Sequence, residues 1–449
     1  MRSRASPCLS SGRGCCYKIG NILEGRNAGA DLIVTQVFGG ASRALKIPVF
    51  RRYWVGHTLA SVGRWMYRTA VGWLAWELTH SPGWLGIIAF ADLIPTVLLS
   101  ILSGAFADRF GFMRIIRLSQ IMAITLTLGL AALIFSGHIN VISLLVFTMC
   151  LGCAESLGQP ARMSAVNAMV SKRDLSSAIA LGSASFNASR IIGPAIAGAL
   201  ILWVGTGVVI LACSLMFLLF YLQLRNMHII EVNSGSKASG NMLGNILGDV
   251  RSGVFYVFAH RGIRFVMILL AATSFFVRPV IELMPGVSGQ IFNAGPTGLA
   301  LLLGSIGSGA LLASLLLARR GEMRGLTKLL VLSTIATGVT LMLAMQFQNI
   351  WIASGFLVAM GAFMLSGNVA AQTLVQNSVE PEFRARVMSL FIVFAYGLPA
   401  LGAVLMGWVA SMAGLQPAIG GGALFMAIFW LWALPKREAM GKRLEGERV

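Results

Sequence analysis

The stretch GAFADRFGFMR, residues 104–114, decides how the rest of the chain is read. It sets the acid Asp108 beside Arg109, and Arg114 and Arg117 follow. Apolar runs flank it at 84–106 and 114–135, each long enough to cross a bilayer as helix. A polar cluster there is either a solvated loop or part of a moving joint, and the wider sequence decides between them.

Of 449 residues, 57% are hydrophobic and only 11% are charged, with a mean hydropathy of +0.79. A soluble domain carries roughly a quarter charged residues. A water-facing surface cannot be built from this composition, so lipid is the solvent for most of the chain. The formal net charge is +19. The basic residues sit in short breaks between apolar runs rather than on a soluble domain, which argues against nucleic acid as a partner. Cys150 and Cys153 form one CxxC without a second pair or a nearby His, so small membrane-core residues are expected there rather than a metal site.

Twelve spans follow, at roughly 53–77, 84–106, 114–135, 140–158, 176–202, 206–225, 263–285, 297–318, 326–346, 350–371, 385–411 and 415–434. They are continuously apolar, whereas barrel strands would alternate and be about half as long. The breaks at 78–83, 136–139, 203–205, 286–296, 347–349 and 412–414 hold no Lys or Arg, and the others are basic. That alternation predicts cytoplasmic N and C termini. The expected domains are a disordered or wrongly started extension (1–42), a six-helix half (43–225), a cytoplasmic linker (226–262), a second half (263–434) and a cytoplasmic tail (435–449). The linker contains NSGSKASGN (233–241), a flexible composition. A shift of 209 residues aligns Gly152 with Gly361, Gly158 with Gly367, Gly193 with Gly402 and Gly198 with Gly407, so the halves read as diverged copies.

The spacing GxxxDRxGxxR between spans two and three resembles the signature loop of the major facilitator superfamily of transporters. The resemblance covers about residues 45–436. SPGWLGIIAFADLIPTVLLSILSGAFADR (81–109) and NAMVSKRDLSSAIALGSASFNASRIIGPAIAGALI (167–201) resemble its drug- and siderophore-exporting branch, which includes the enterobactin exporter. A lysophospholipid transporter belongs to a neighbouring group. The resemblance implies an all-α fold of two pseudo-symmetric six-helix halves in a bacterial inner membrane. It further implies that Gly104, Asp108, Arg109, Gly111 and Arg114 form a cytoplasmic latch, with Asp108 meeting the start of span eleven near Arg384. Gly104 would let a helix backbone approach, and Gly111 would allow the tight turn. The matching loop of the second half, LLARRGEMRG (316–325), lacks the acid before its arginines.

A charge in lipid costs at least a few kcal/mol, so each intramembrane charge is a site candidate. The candidates are Arg64, Arg68, Asp92, Glu155, Arg190, Arg278 and Glu282. Arg64 and Arg68 share a helix face, and Asp92 is placed to pair with one of them. Arg278 and Glu282 are also four apart and are expected to pair with each other. Two arginines lining one cavity would favour an anionic or zwitterionic substrate, whereas the plainer reading is structural ion pairs. Span four, ended at 158, carries no Arg where many proton-coupled exporters have one. Asp92, Glu155 and Glu282 are the carboxylates placed to carry a proton. Gly193, Pro194 and Gly198 in span five predict a kinked, closely packed helix.

No nucleotide, metal or enzyme motif is present, so no cofactor and no enzymatic activity are expected. The sequence therefore predicts a monomeric secondary transporter in contact with membrane lipid. It exports a small organic compound, with proton antiport as the family's coupling mode. The competing readings are an importer or flippase of a lysophospholipid-like substrate, and a non-transporting membrane receptor or scaffold.

Overall fold

A computed structural model describes residues 43–227, 242–320 and 325–445. The N-terminal extension and the NSGSKASGN stretch lie outside them. All regular elements of the described residues are helical. The first half comprises α1 (Pro48–Thr79), α2 (Pro82–Phe110), α3 (Phe112–Phe135), α4 (Val141–Met169) and α5 (Leu175–Arg225). Helix α6 (Met242–Ala259) lies in the linker. The second half opens with α7 (Arg261–Phe276), α8 (Val280–Gly286) and a π-helical turn (Val287–Ile291) in one run. It continues with α9 (Gly295–Arg320), α10 (Leu326–Gln346) and α11 (Ile350–Ser378). A run of α12 (Arg384–Ile392), a π-helical turn (Val393–Gly397) and α13 (Leu398–Ala413) precedes α14 (Leu415–Ala433) and the short α15 (Arg437–Leu444).

Among the described residues, ten segments are long and apolar enough to span a membrane. One of them, α5, has 51 residues and turns back at Gly205 (φ 81°, ψ 166°), so it supplies two spans. Helix α1, with 32 residues, supplies the twelfth. Its length is about 48 Å against a hydrocarbon core of about 30 Å. The arginines within it lower its apolarity.

Lipid offers no partner to a backbone N–H or C=O, so helices that satisfy themselves are the only stable solution here. Buried hydroxyls follow the same rule: Thr127, Ser189, Thr334 and Thr337 each donate to a carbonyl one turn back. The turns are correspondingly tight. Gly111 (φ 88°) and Gly414 (φ 94°) adopt left-handed backbone between consecutive helices. Asn140 caps α4 by accepting the Ser143 N–H at 2.9 Å. Leu202, Leu312 and Trp203, the last 83% exposed, belong to an apolar outer surface suited to acyl chains.

The four glycine pairs of the internal repeat make equivalent contacts. A side chain at Gly152 would meet α2 at the Asp92 carbonyl and Pro95, and one at Gly361 would meet α9 at Ile306. Gly158 faces Ser119 on α3, and Gly367 faces Ser333 on α10. Gly193 packs on α1 at Trp65, and Gly402 packs on α7 at Phe275. Gly198 meets α9 at Pro296, and Gly407 meets α2 at Pro82. Each pair meets the corresponding helix at the corresponding place, three pairs within their own halves and the fourth across them, which is how a duplicated sequence encodes two pseudo-symmetric halves.

The last glycine pair also joins the halves. Gly198 on Pro296 and Gly407 on Pro82 lie at the end of the bundle that carries the uncharged turns, called here the far end. Gly86 on α2 abuts the Ala403 carbonyl of α13, and Gly289 abuts Trp76 of α1, so the halves are sealed there by near-backbone contact.

At the opposite, basic end, Arg117 of α3 donates to the Leu224 carbonyl at 3.0 and 3.1 Å and to the Met227 carbonyl at 2.9 Å. A cation on the unsatisfied carbonyls at the end of α5 complements the helix dipole. Arg117→Ala should lower unfolding stability by about 2 kcal/mol, since hydrogen bonds to charged groups are worth roughly that much. Thermal unfolding of the purified protein in detergent checks this. Helix α6 docks at the same end, where Tyr256 stacks on Phe383 with ring centroids 4.5 Å apart. Glu445, just beyond α15, accepts the N–H groups of Gly325 and Thr327 at the start of α10.

Candidate functional site

Arg64 lies at the middle of α1 and so at mid-membrane depth. Its guanidinium is 2.9 Å from Asp92 Oδ1, while Arg68 Nε is 3.3 Å from Asp92 Oδ2. Asp92, 6% exposed, therefore bridges both arginines rather than pairing with one. The helical period places Arg64 and Arg68 one turn apart on one face of α1, so a single carboxylate on α2 reaches both.

The expected pairing of Arg278 with Glu282 is corrected by the structure. Glu282 Oε1 lies 2.5 Å from Arg68 Nη2, across the interface between the halves. Arg278 instead donates to the Ala395 carbonyl at 2.9 Å, in the π-helical turn of the eleventh span. The reason is local. Residues 277–279 form a turn between α7 and α8, so a spacing of four does not place the two side chains on one helix face. Proline at 279 begins the new helix and breaks the old one.

Arg190 of α5 is half-buried, with its guanidinium over the Trp65 ring at 5.4 Å from the centroid. Arg68 lies over the same ring at 5.3 Å. Trp65 thus sits between two cations as a π surface for both. A cavity between the halves is lined by Trp65, Arg68, Arg190, Pro194, Glu282 and Pro285. Gly193, packed on Trp65, lets α5 lie close against α1, and Pro194 and Arg190 line the same cavity.

Glu155 lies apart, nearer the basic end. Its carboxylate is 2.9 Å from Arg162. A span ending at 158 leaves Arg162 in the following loop, but α4 continues through Pro160 to Met169, so this helix does carry an arginine about two turns beyond Glu155. Helix length exceeds hydrocarbon thickness, and hydropathy alone ends a span where the helix merely leaves the apolar slab. Tyr53 donates to the Arg162 carbonyl at 3.5 Å, and His57 stacks on Tyr53 at 5.7 Å. Trp65 was also missed. Its position three residues before Arg68 on a continuous helix was the available signal.

Of the expected latch, Gly111 forms the turn between α2 and α3, and Arg114 and Arg384 are exposed. The side chains of Asp108 and Arg109, the surroundings of Gly104 and the proposed Asp108 contact lie outside the described residues. On α4, Cys150 and Cys153 are free thiols.

Among the described residues, twelve spanning segments in two like halves around a charged centre define a membrane transporter of the major facilitator type. Residues 40–443 match the sequence profile of the transmembrane secretion effector family, and the chain belongs to that family. The staphyloferrin A transporter of Staphylococcus aureus (strain NCTC 8325 / PS 47) is 25% identical over 361 residues, covering 80% of this chain and 88% of that protein. An uncharacterized MFS-type transporter of Bacillus subtilis (strain 168), YfiS, is 24% identical over 346 residues, covering 74% and 79% respectively. Among solved structures, a bacterial homologue of the human lysosomal transporter Spinster, inward-facing and unoccupied, superposes with a TM-score of 0.67 at 14% identity. That superposition covers 89% of this chain and 98% of that one. At such identity the likeness concerns the fold.

Proposed function

We propose that this transporter exports a small organic compound from the cytoplasm by rocking its two halves about the charged centre. The observation that carries the reading is the Arg68–Glu282 ion pair, which crosses the interface at mid-membrane depth beneath a far end sealed by glycine contacts. A cross-half ion pair beside a cavity is a joint that can break and re-form as the halves rock. Export, rather than uptake, is supported by the secretion family and by the exporter-like segments at 81–109 and 167–201. The basic end is then cytoplasmic by the positive-inside rule, the membrane is the bacterial inner membrane, and the described state faces inward. Asp92, Glu155 and Glu282 are the groups proposed to carry a coupling proton, and the working unit is a monomer in lipid. Asp108, Arg109 and Arg114, with the glycines at 104 and 111, are proposed to latch the cytoplasmic end when the transporter faces outward.

Untargeted mass spectrometry of spent medium tests this with three strains: wild type, a deletion, and the deletion complemented with Asp108→Asn. At least one compound should accumulate outside wild-type cells and fall at least tenfold in the deletion, with Asp108→Asn restoring little of it. Full restoration by Asp108→Asn would remove the latch role and keep the transporter. Medium identical in all three strains would remove export and favour an importer, a flippase or a scaffold.

A further inference from the structure

The centre holds more positive than negative charge. Its two carboxylates, Asp92 and Glu282, are both engaged by Arg64 and Arg68. Among the described residues, no carboxylate lies within ion-pair distance of Arg190 or Arg278. The charged neighbours acting on Arg190 are the cations Arg278 and Arg68, with Tyr396 also close, while Arg278 donates to the Ala395 carbonyl and feels Glu282 from beyond ion-pair distance. Two like charges lining one cavity at membrane depth repel unless something answers them.

Both arginines line a second cavity, in the second half, together with Ser274, Ser333, Thr337 and Asn368. The hydroxyls of Ser274 and Ser333 are buried, at 0% and 1% exposure, and neither has a hydrogen-bond partner. Neighbouring hydroxyls in the same wall behave otherwise: Thr337 and Thr273 each donate to a carbonyl one turn back. A buried polar group without a partner destabilises the fold, so two such hydroxyls beside two guanidiniums that lack a carboxylate at ion-pair distance mark a place where acceptor oxygens belong.

We propose that Arg190, Arg278, Ser274 and Ser333 form a half-site that binds an acidic group, carboxylate or phosphate, of the transported molecule. The inference rests on the transport reading above and names the chemistry of its cargo. These four donor groups line one cavity, where a planar or tetrahedral oxyanion would accept from them while neutralising the arginine pair. Arg190 comes from the first half and the other three residues from the second, so the bound oxyanion joins the halves. The apolar wall formed by Leu270, Leu330 and Met364 then takes an uncharged part of the molecule. Trp65 stacks on Arg190 and keeps its guanidinium at this interface.

Thermal unfolding of the full chain in dodecylmaltoside tests the half-site. The probes are citrate, inorganic phosphate and lysophosphatidylglycerol, with triethyl citrate as the uncharged control. At least one anion should raise the unfolding midpoint by several degrees at saturation, as any ligand bound only by the folded state does. Triethyl citrate should leave it unmoved. A response to citrate or inorganic phosphate assigns a soluble anionic group, carboxylate or phosphate respectively, and a response to the lysolipid alone assigns a lipid headgroup. Arg190→Gln and Arg278→Gln should each weaken the apparent affinity at least tenfold. The Ser274→Ala/Ser333→Ala variant keeps every charge, covers the case in which an arginine variant fails to fold, and should weaken affinity at least threefold. The proposal is overturned if no anion shifts the midpoint, if triethyl citrate acts as well as citrate, or if the variants respond like wild type. The spent-medium comparison keeps the two ideas separable. Release of a neutral or cationic compound ends the half-site and leaves the exporter standing, while unchanged medium ends export and leaves the anion titration to be judged on its own.

Discussion

Asp92→Asn is expected to cost about 3–5 kcal/mol of folding stability, the usual penalty for removing one partner of a buried ion pair. The variant should also abolish export. Asp92 answers two guanidiniums at once, at 2.9 and 3.3 Å, and its own side chain is only 7% exposed. Asparagine keeps the volume and one acceptor oxygen but leaves Arg64 without an ion-pair partner and Arg68 with Glu282 alone. The excess charge sits at mid-membrane depth, where water screens it least. The double variant Arg64→Leu/Asp92→Leu removes a matched pair and should unfold at a higher temperature than Asp92→Asn, although it should not transport. Unfolding midpoints in detergent for the three proteins decide the matter. An Asp92→Asn midpoint equal to wild type would mean that the centre is wet enough to solvate its own charges.

Gly86→Leu is expected to leave each half folded and to reduce export at least tenfold. Any side chain at this position runs into the Ala403 carbonyl and approaches the Val404 backbone, which are main-chain atoms that cannot swing aside. The contact lies between the halves, so neither half loses packing of its own. What is lost is the seal at the far end, and with it the state described here. Leucine should therefore shift the population toward the conformation open at the far end. Fluorescence-detected size exclusion, together with compound release from complemented cells, separates a trapped transporter from a misfolded one.

Much of this architecture is legible in the chain because lipid leaves few choices. Run length gives the spans, the charge of the breaks orders the two ends, and four glycine pairs at one offset give the duplication. Each of those glycine pairs turns out to mark an equivalent helix crossing. The partners of the buried charges are less legible. Four-residue spacing is informative only on an unbroken helix, so it holds for Arg64 and Arg68 on α1 and fails for Arg278, which lies in the turn before α8. The Arg68–Glu282 pair joins residues 214 apart, and no local pattern encodes such a contact. Arg162 was hidden for another reason. Hydropathy reports where lipid ends, whereas α4 continues past that level to Met169.

Alternating access is tested most directly by measuring both ends of the bundle in one protein. Ser136→Cys and Gln348→Cys place spin labels on exposed turns of the two halves at the far end, and Arg173→Cys with Glu382→Cys does the same at the basic end. Each pair is built with the native cysteines replaced, and distances are read by double electron–electron resonance in proteoliposomes. Gly86→Leu should lengthen the far-end distance and shorten the basic-end distance. A shift at one end only, or in the same direction at both, would contradict a transporter that works by rocking two halves about Arg68 and Glu282.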